Sequence, residues 1–463
     1  MVQRESRTEP KRLKGFRDYL PDLMATRLSL MDVIRSEARR AGFQPIGTPA
    51  LEYAETLVGH GEETDKQVYR FVDHGDRDVA LRFDLTVPFA RFVAEHQGQL
   101  TFPFKKLQMG EVWRGENTQK GRYREFAQCD LDIIGVDSIM ADVEVLTAFQ
   151  RILSRMNFGA FTMAIGSRVV LSALIRHHLP DINSDGETAA LIAIDKLAKV
   201  GPAKVTDLLA AIPGASPAGA AHLLEVLMAR DSGGNTDLTA VRKSLAHGVT
   251  TSEPLASGGA SAANQEALTR LESVLDLVRR GSAGGNGRVV LDLTVARGLG
   301  YYTGVVFETT IDALPGFGSI CSGGRYNDLA SRFTTRELPG VGGSIGLDRL
   351  LAGLEELGKV TSATGGMVFV AVATNDALGY ACDILRSLRD AGFACDIGLT
   401  VKLGHQFKHA DRLACPYVIT VGTDEAASST CTIKSMADGQ EERGVAVSQL
   451  VHWLESKGLT TRV

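Results

Sequence analysis

The sequence predicts an α+β protein of two domains: a large one over residues 1–365, with a helical insertion at about 170–283, and a three-layer α/β domain over 366–463. Three changes of texture predict it. From about residue 15 to 165, short strand-like runs such as VALRF and DLDIIG alternate with longer helical patterns. From about 170 to 283 the chain turns Ala- and Leu-rich, as in ETAALIAIDKLAKVG and AGAAHLLEVLMARD, the texture of a small helical insertion closed by the turn GSAGGNG. After the Gly, Ser and Thr of LEELGKVTSATGG, short apolar strands and helical runs alternate again over about 100 residues.

The whole chain sets limits on these readings. Its 463 residues exceed what a single core fills, and a composition of 44% hydrophobic and 23% charged residues at zero mean hydropathy is that of a globular protein. No apolar run reaches the roughly 18 to 20 residues of a membrane span, and the basic N-terminus has no apolar stretch behind it. The expectation is a chain neither exported nor anchored. Six scattered cysteines without a C-x-x-C pair point to a reducing cytoplasm rather than to a disulfide framework or a thiolate zinc site. A net charge of −5 argues against wholesale polyanion binding but leaves room for a local basic patch.

Taken in order, the first well-marked elements are two strands around KKLQMGEVWRGENTQKGRYREFAQCDLDIIG, residues 105–135. The intervening GENTQKGRYRE is too long for a tight turn and is loaded with Glu116, Lys120, Arg122, Arg124 and Glu125, with Arg114 at its mouth. Strand periodicity puts Gln128, Asp130 and Asp132 on one face and Cys129, Leu131 and Ile133 on the other. Buried without partners, such polar groups cost about 1 to 3 kcal/mol each when neutral and more when charged. Either a ligand with a positive or donor group supplies the partner, or the face is wet and pairs its own charges. The next helix carries Val143, Leu146, Phe149, Leu153 and Met156 at helical spacing behind caps at Asp137 and Ser138.

Beyond the insertion, VVLDLTV leads into ARGLGYYTGVVFE, residues 296–308. Read as a strand, Tyr302, Gly304, Val306 and Glu308 share a face, with Gly304 leaving space beside the Tyr302 ring; Arg297 sits in a Gly-flanked turn, free to reach an anion. Tyr301 reads as a packed core tyrosine. Then GVGGSIGLDRLLAGLEEL enters a helix with Leu347, Leu350, Leu351, Leu354 and Leu357 on its buried stripe. Arg349 falls in the first turn, where the dipole disfavours a cation by about 0.3 to 1 kcal/mol. Asp348 offsets this, or a nucleotide phosphate or base occupies the space.

These segments, in order, resemble the histidyl-tRNA synthetase family of class II aminoacyl-tRNA synthetases over nearly the whole chain: LKGFRDYLP, LRFDLTVPFAR, VWRGENTQKGRYREF with QCDLDIIG, RGLGYYTGVVFE, SGGRYNDL and SIGLDRL. The resemblance implies an antiparallel sheet flanked by helices, a homodimer, and a two-step reaction with L-histidine, ATP with Mg2+, and the histidine tRNA. By motif match it implies that Arg114 and Arg297 brace the α-phosphate and that Glu116, Arg122 and Arg349 hold the rest of ATP, with Phe126 against adenine. It further implies that Asp84, Thr86 and Gln128 take the α-ammonium and that Asp132 and Tyr302 bind the imidazole, with Tyr301 beside them in the substrate set; the metal ligands stay unknown. Two positions depart from the family pattern: Gly300 and Asn327 stand where Asp is usual.

The C-terminal domain resembles the family's anticodon-binding module, and VKLGHQFKHADR gathers Lys402, His405, Lys408, His409 and Arg412, with Gln406 matching the family pattern. The alternative is a non-catalytic histidine-sensing paralogue acting as a regulatory subunit in histidine biosynthesis. Such paralogues commonly lack this module and the arginine motifs. Neither a G-x-x-x-x-G-K-[ST] run nor a correctly spaced dinucleotide fingerprint is present.

Overall fold

A computed structural model describes residues 8–59, 65–246, 257–282, 284–296, 302–361, 366–400 and 402–459. The chain divides into two compact units, one of Met1–Asp18 with Arg27–Lys359 and one of Tyr19–Thr26 with Val360–Val463.

The chain starts with α1 (Pro21–Arg40), β1 (Gln44–Pro45), β2 (Leu51–Tyr53), α2 (Ala54–Leu57), β3 (Arg70–Val72), β4 (Asp78–Leu81) and α3 (Thr86–His96). The long strands β5 (Phe104–Trp113) and β6 (Glu125–Ile134) form a hairpin, followed by α4 (Ile139–Arg155) and β7 (Phe161–Ser167). A run of helices from α5 (Arg168–His178) to α11 (Ser257–Gly281) makes up the insertion. Then come β8 (Gly287–Leu291), β9 (Val305–Ile311), β10 (Cys321–Tyr326), β11 (Gly340–Gly346) and α12 (Leu347–Glu356).

The main sheet runs β1-β5-β6-β11-β10-β9-β7-β8. Its six inner strands are antiparallel, while both edges pair in parallel, β1 with β5 and β7 with β8. Period-two alternation gives the inner strands two unlike faces. One register row is Leu107–Leu131–Gly343–Gly323–Phe307, which belongs to the core and brings Phe307 to 5.5 Å from Phe149 of α4. The neighbouring row, Lys106–Asp132–Gly342–Gly324, lies on the opposite face.

Helix α4 is capped by Ser138, whose side chain accepts from the Met140 N–H at 3.2 Å. Asp137, also expected as a cap, pairs instead with Arg270 of α11 at 2.6 Å. Strand β9 begins only at Val305, so Tyr302 and Gly304 precede the strand that the sequence pattern assigned them.

The C-terminal unit has a five-stranded sheet ordered β13 (Cys395–Ile397), β12 (Val368–Val372), β14 (Tyr417–Val421), β15 (Thr430–Ser435) and β16 (Glu441–Ala446). The first three are parallel and the last two antiparallel. Alternate residues of β12 feed two apolar clusters. Val368, Val370 and Val372 pack with α13 (Leu378–Asp390) and α15 (Leu450–Ser456), whereas Phe369 and Ala371 pack with α14 (Leu403–Arg412). Helices on both faces give three layers. The β15–β16 hairpin escaped sequence reading because TCTIKS and EERGVA are too polar to stand out as strands.

Candidate active site

The polar face of the main sheet carries two cavities. One, of about 200 Å3, is lined by Asp84, Thr86, Arg114, Gln128, Asp132, Tyr302, Ser322, Tyr326 and the Gly342–Ser344 segment. The other, of about 210 Å3, is lined by Arg114, Glu116, Arg122, Phe126, Gln128, Asp348 and Arg349, among others. Arg114, Gln128, Ser322 and Ser344 line both, so the cavities adjoin.

Every site residue expected from sequence that falls within the described residues therefore reaches one of these cavities. The set expected to contact the amino acid lines the first, the set expected to contact the nucleotide lines the second, and Arg114 lines both. Arg297 and Tyr301, with the departure at Gly300, lie outside the described residues.

Arg114 is held from two sides: its Nε donates to the Phe83 carbonyl at 2.8 Å, and its guanidinium carbon lies 5.2 Å from the centre of the Phe126 ring. Arg349, in the first turn of α12, donates from Nη2 to the Phe317 carbonyl at 2.8 Å. Its neighbour Asp348 accepts from the Ala127 N–H at 2.6 Å, which ties α12 to β6. Arg122 and Glu116 approach to 3.9 Å. Asp84 is buried just ahead of α3, where it accepts from the Val87 N–H at 3.1 Å. Burial pushes its carboxyl up, against the pull of that hydrogen bond and of Arg114 and Lys106.

Asp132 answers the question raised by the polar face of β6. Its Oδ2 accepts from Nζ of Lys106 at 2.8 Å, and its Oδ1 accepts from the Tyr326 hydroxyl at 2.6 Å. The cation expected from a ligand is thus already supplied by the chain itself. Gln128 donates through Nε2 to Ser344 Oγ at 3.0 Å, while its buried Oε1 has no partner in the protein. Asp130 Oδ1 and the Oε1 of Gln108, its register partner in β5, are likewise buried acceptors without a partner.

The glycines of this region clear the floor of the site, but not as the sequence suggested. A Cβ on Gly304 would lie 2.9 Å from Cδ of Arg325, so Gly304 makes room for that arginine. The Tyr302 ring instead lies over Gly324, where a Cβ would come within 3.0 Å of the ring. Directly across the sheet, a Cβ on Gly342 would collide with the Asp132 carboxylate. Asn327, the second departure, donates its backbone N–H to Thr303 Oγ1 at 3.1 Å, beside the Tyr302 segment.

Lys106, Tyr326, Ser322 and Ser344 are the site residues that sequence reasoning missed. The alternation Lys106–Gln108 in β5 was a signal, since it mirrors Asp130–Asp132 in β6, but only the hairpin register makes them opposite.

In the C-terminal unit, Lys402, His405, Lys408, His409 and Arg412 are all exposed along α14 and its N-terminal flank. Gln406 points the other way: it is buried, accepts from the Val372 N–H at 2.9 Å and donates to the Val372 carbonyl at 2.7 Å. Its place in the family pattern is explained by this tie to β12.

Comparison with known proteins shows the family. A family model described as histidyl-tRNA synthetase matches residues 15–350, and one described as anticodon binding domain matches residues 367–457. The chain is 41% identical over 449 residues to a histidine–tRNA ligase of Rhodopirellula baltica, covering 95% of this chain and 96% of that one. It is 38% identical over 442 residues to one from Wolinella succinogenes, again covering 95% and 96%. Among solved structures, the histidyl-tRNA synthetase of Nostoc sp. PCC 7120 superimposes with a TM-score of 0.84 at 31% identity, covering 97% of this chain and 100% of that one.

Proposed function

We propose, from the premise that this chain belongs to the histidyl-tRNA synthetase family, that its two adjoining cavities take histidine and ATP and that Arg114 stands where the two substrates react. The chain attaches L-histidine to its tRNA at the expense of ATP. In the first step the histidine carboxylate attacks the α-phosphate and pyrophosphate leaves. In the second the histidyl group passes from the adenylate to the terminal adenosine of the tRNA.

The observation that carries the assignment of residues is that Arg114 lines both cavities. An in-line displacement at phosphorus gathers negative charge on the equatorial oxygens and needs no nucleophilic side chain. A guanidinium fork held between the carboxylate and the α-phosphate supplies fixed positive charge where that charge develops. Arg297 joins it by motif match. Glu116, Arg122 and Arg349 hold the rest of ATP, and Phe126, already stacked by Arg114, receives the adenine. Asp84, Thr86 and Gln128 receive the α-ammonium, which brings three N–H donors to a site where Gln128 Oε1 is a buried acceptor in want of one. Asp132 and Tyr302 meet the imidazole, with Tyr301 beside them. An analogue without the ring N–H would forgo its hydrogen bond to Asp132, while Lys106 and Tyr326 keep the carboxylate in place to select for that N–H.

Magnesium fits this site as a companion of the triphosphate. Mg2+ takes one or two carboxylates and completes its shell with phosphates and water. Glu116 and Asp348 line the nucleotide-side cavity, and among the described residues no group of three His, Cys, Asp or Glu could hold an ion alone. Bound there, the ion would offset charge on the phosphates.

A homodimer is supported by a groove of about 600 Å3 on the catalytic unit whose apolar wall includes Phe43, Pro45, Ile46, Leu107 and Met109. Sedimentation of the full chain at monomer mass would refute it. The C-terminal unit reads the anticodon, and the exposed cations of α14 suit a phosphate backbone. No helix among the described residues is long and apolar enough to cross a membrane. We place the protein in the cytoplasm, and recovery in a membrane or secreted fraction would contradict that. The regulatory-subunit alternative is disfavoured by the presence of the C-terminal module.

The deciding experiment is histidine-dependent exchange of labelled pyrophosphate into ATP. Arg114→Ala should lower kcat by about 100- to 1,000-fold, as loss of a transition-state donor does. A variant that exchanges at the native rate would remove Arg114 from the reaction.

A further inference from the structure

The least explained side chain near the site is Lys106. It is fully buried, lines neither cavity, and belongs to none of the motifs that identify the family segments. An ammonium taken wholly out of water costs several kcal/mol unless it is well paired. Its pairing is specific: Nζ lies 2.8 Å from Asp132 Oδ2, 3.8 Å from Asp130 Oδ2 and 4.7 Å from the centre of the Phe89 ring.

The register explains how it gets there. Lys106, Asp132, Gly342 and Gly324 form one row across four strands, so the Lys106 and Asp132 side chains share a face with two glycines beyond them. Asp132 leans across Gly342 toward Tyr326 of β10, while Lys106 holds the other carboxylate oxygen from behind. The carboxylate is thereby clamped at both oxygens, and what remains of its accepting capacity faces the cavity.

Asp130 competes for the same ammonium. Burial pushes its carboxyl up to about 7, against the pull of Lys106 and with help from the neighbouring Asp132. A proton on Asp130 leaves Lys106 to Asp132. Placed on Oδ1, it would turn that orphaned atom into a donor facing Gln108 Oε1, the orphaned acceptor opposite.

We propose that Lys106 is a positioning residue for the amino-acid substrate: by clamping Asp132 it sets the carboxylate geometry that selects an imidazole N–H, without touching histidine itself. This rests on the reading of the Asp132 cavity as the histidine site. A lysine whose role was only to fill space would be replaceable by an apolar chain of similar length with no effect on substrate choice.

The test is pyrophosphate exchange with the purified full chain, titrating histidine at saturating ATP and then ATP at saturating histidine. In Lys106→Met, the KM for histidine should rise at least tenfold while the KM for ATP stays within twofold, and Lys106→Arg should recover part of the loss. Should Lys106→Met not fold, Lys106→Met with Asp130→Asn removes one buried carboxylate together with the cation. That double variant should still show a histidine KM raised at least fivefold. An unchanged histidine KM in whichever variant folds, or equal rises for both substrates, overturns the proposal. Absence of histidine-dependent exchange in the unmodified protein would overturn the functional reading itself, a separate outcome.

Discussion

At the scale of single residues, the site is governed by how buried charges share protons and partners. Asp130 shows this most directly. In the unfolded chain an aspartate gives up its proton near about pH 4, whereas in the fold burial holds that proton until about 7. Between those values the native state binds the extra proton, so this group makes stability fall as pH rises, by at most about 1.4 kcal/mol per unit. Above about 7 its contribution is level. Asp130→Asn removes the titration. Urea unfolding should show the variant gaining on the unmodified protein from about pH 4 to about 7 and then holding a constant difference. A difference independent of pH would mean that Asp130 is ionised throughout. Asp132, one position along the same face, is satisfied differently, by an ammonium and a phenol. Two like acids in one strand thus come to different ends because their cross-strand neighbours differ: Lys106 for one, Gln108 for the other.

At the scale of elements, the antiparallel rows do the sorting. In β6 the alternation of Gln128, Asp130 and Asp132 with Cys129, Leu131 and Ile133 was legible in sequence, because period two needs no tertiary information. What faces each residue was not, since register depends on strands far apart in the chain. The sequence singled out the glycines around Tyr302 but credited Gly304 with a role that belongs to Gly324 on the neighbouring strand. Gly342→Ala tests the row itself. Its methyl would displace the Asp132 carboxylate, and histidine activation should fall by about 100-fold in kcat/KM, with the KM for ATP nearly unchanged; that loss matches the order of a buried hydrogen-bonded charge removed from its partner. Parallel losses for both substrates would mean that the sheet had shifted as a whole. On the nucleotide side, Arg349 was placed in the first turn of its helix from sequence, and the unfavourable position is eased by the Phe317 carbonyl that it reaches.

At the scale of the whole molecule, the order of segments told more than any element did. Five of the six motifs supply residues to two adjoining cavities of the catalytic unit, and a sequence can carry such an order where it cannot carry distances. The insertion was legible as helices because its sequence is rich in Ala and Leu, while the polar β15–β16 hairpin was not. The two units invite separate tests. Lys408→Ala with Arg412→Ala should raise the KM for tRNA about tenfold and lessen the salt dependence of tRNA binding by about two phosphate contacts. Pyrophosphate exchange, which involves no tRNA, should be unaffected. Loss of exchange in that double variant would show that the substitutions reach beyond the C-terminal unit.

The buried amide of Gln406 has a consequence of its own. Strand β13 is only three residues long, so the outer flank of β12 at Val372 lacks a strand to pair with, and the side chain of Gln406 satisfies both backbone groups there as a peptide would. At the opposite border, β16 presents Glu441, Glu442 and Arg443 to water. The open stretch of β12 is stoppered and the β16 border is charged, and both features work against a stray chain extending the sheet there. Satisfied or charged strand flanks of this kind resist fibrous association.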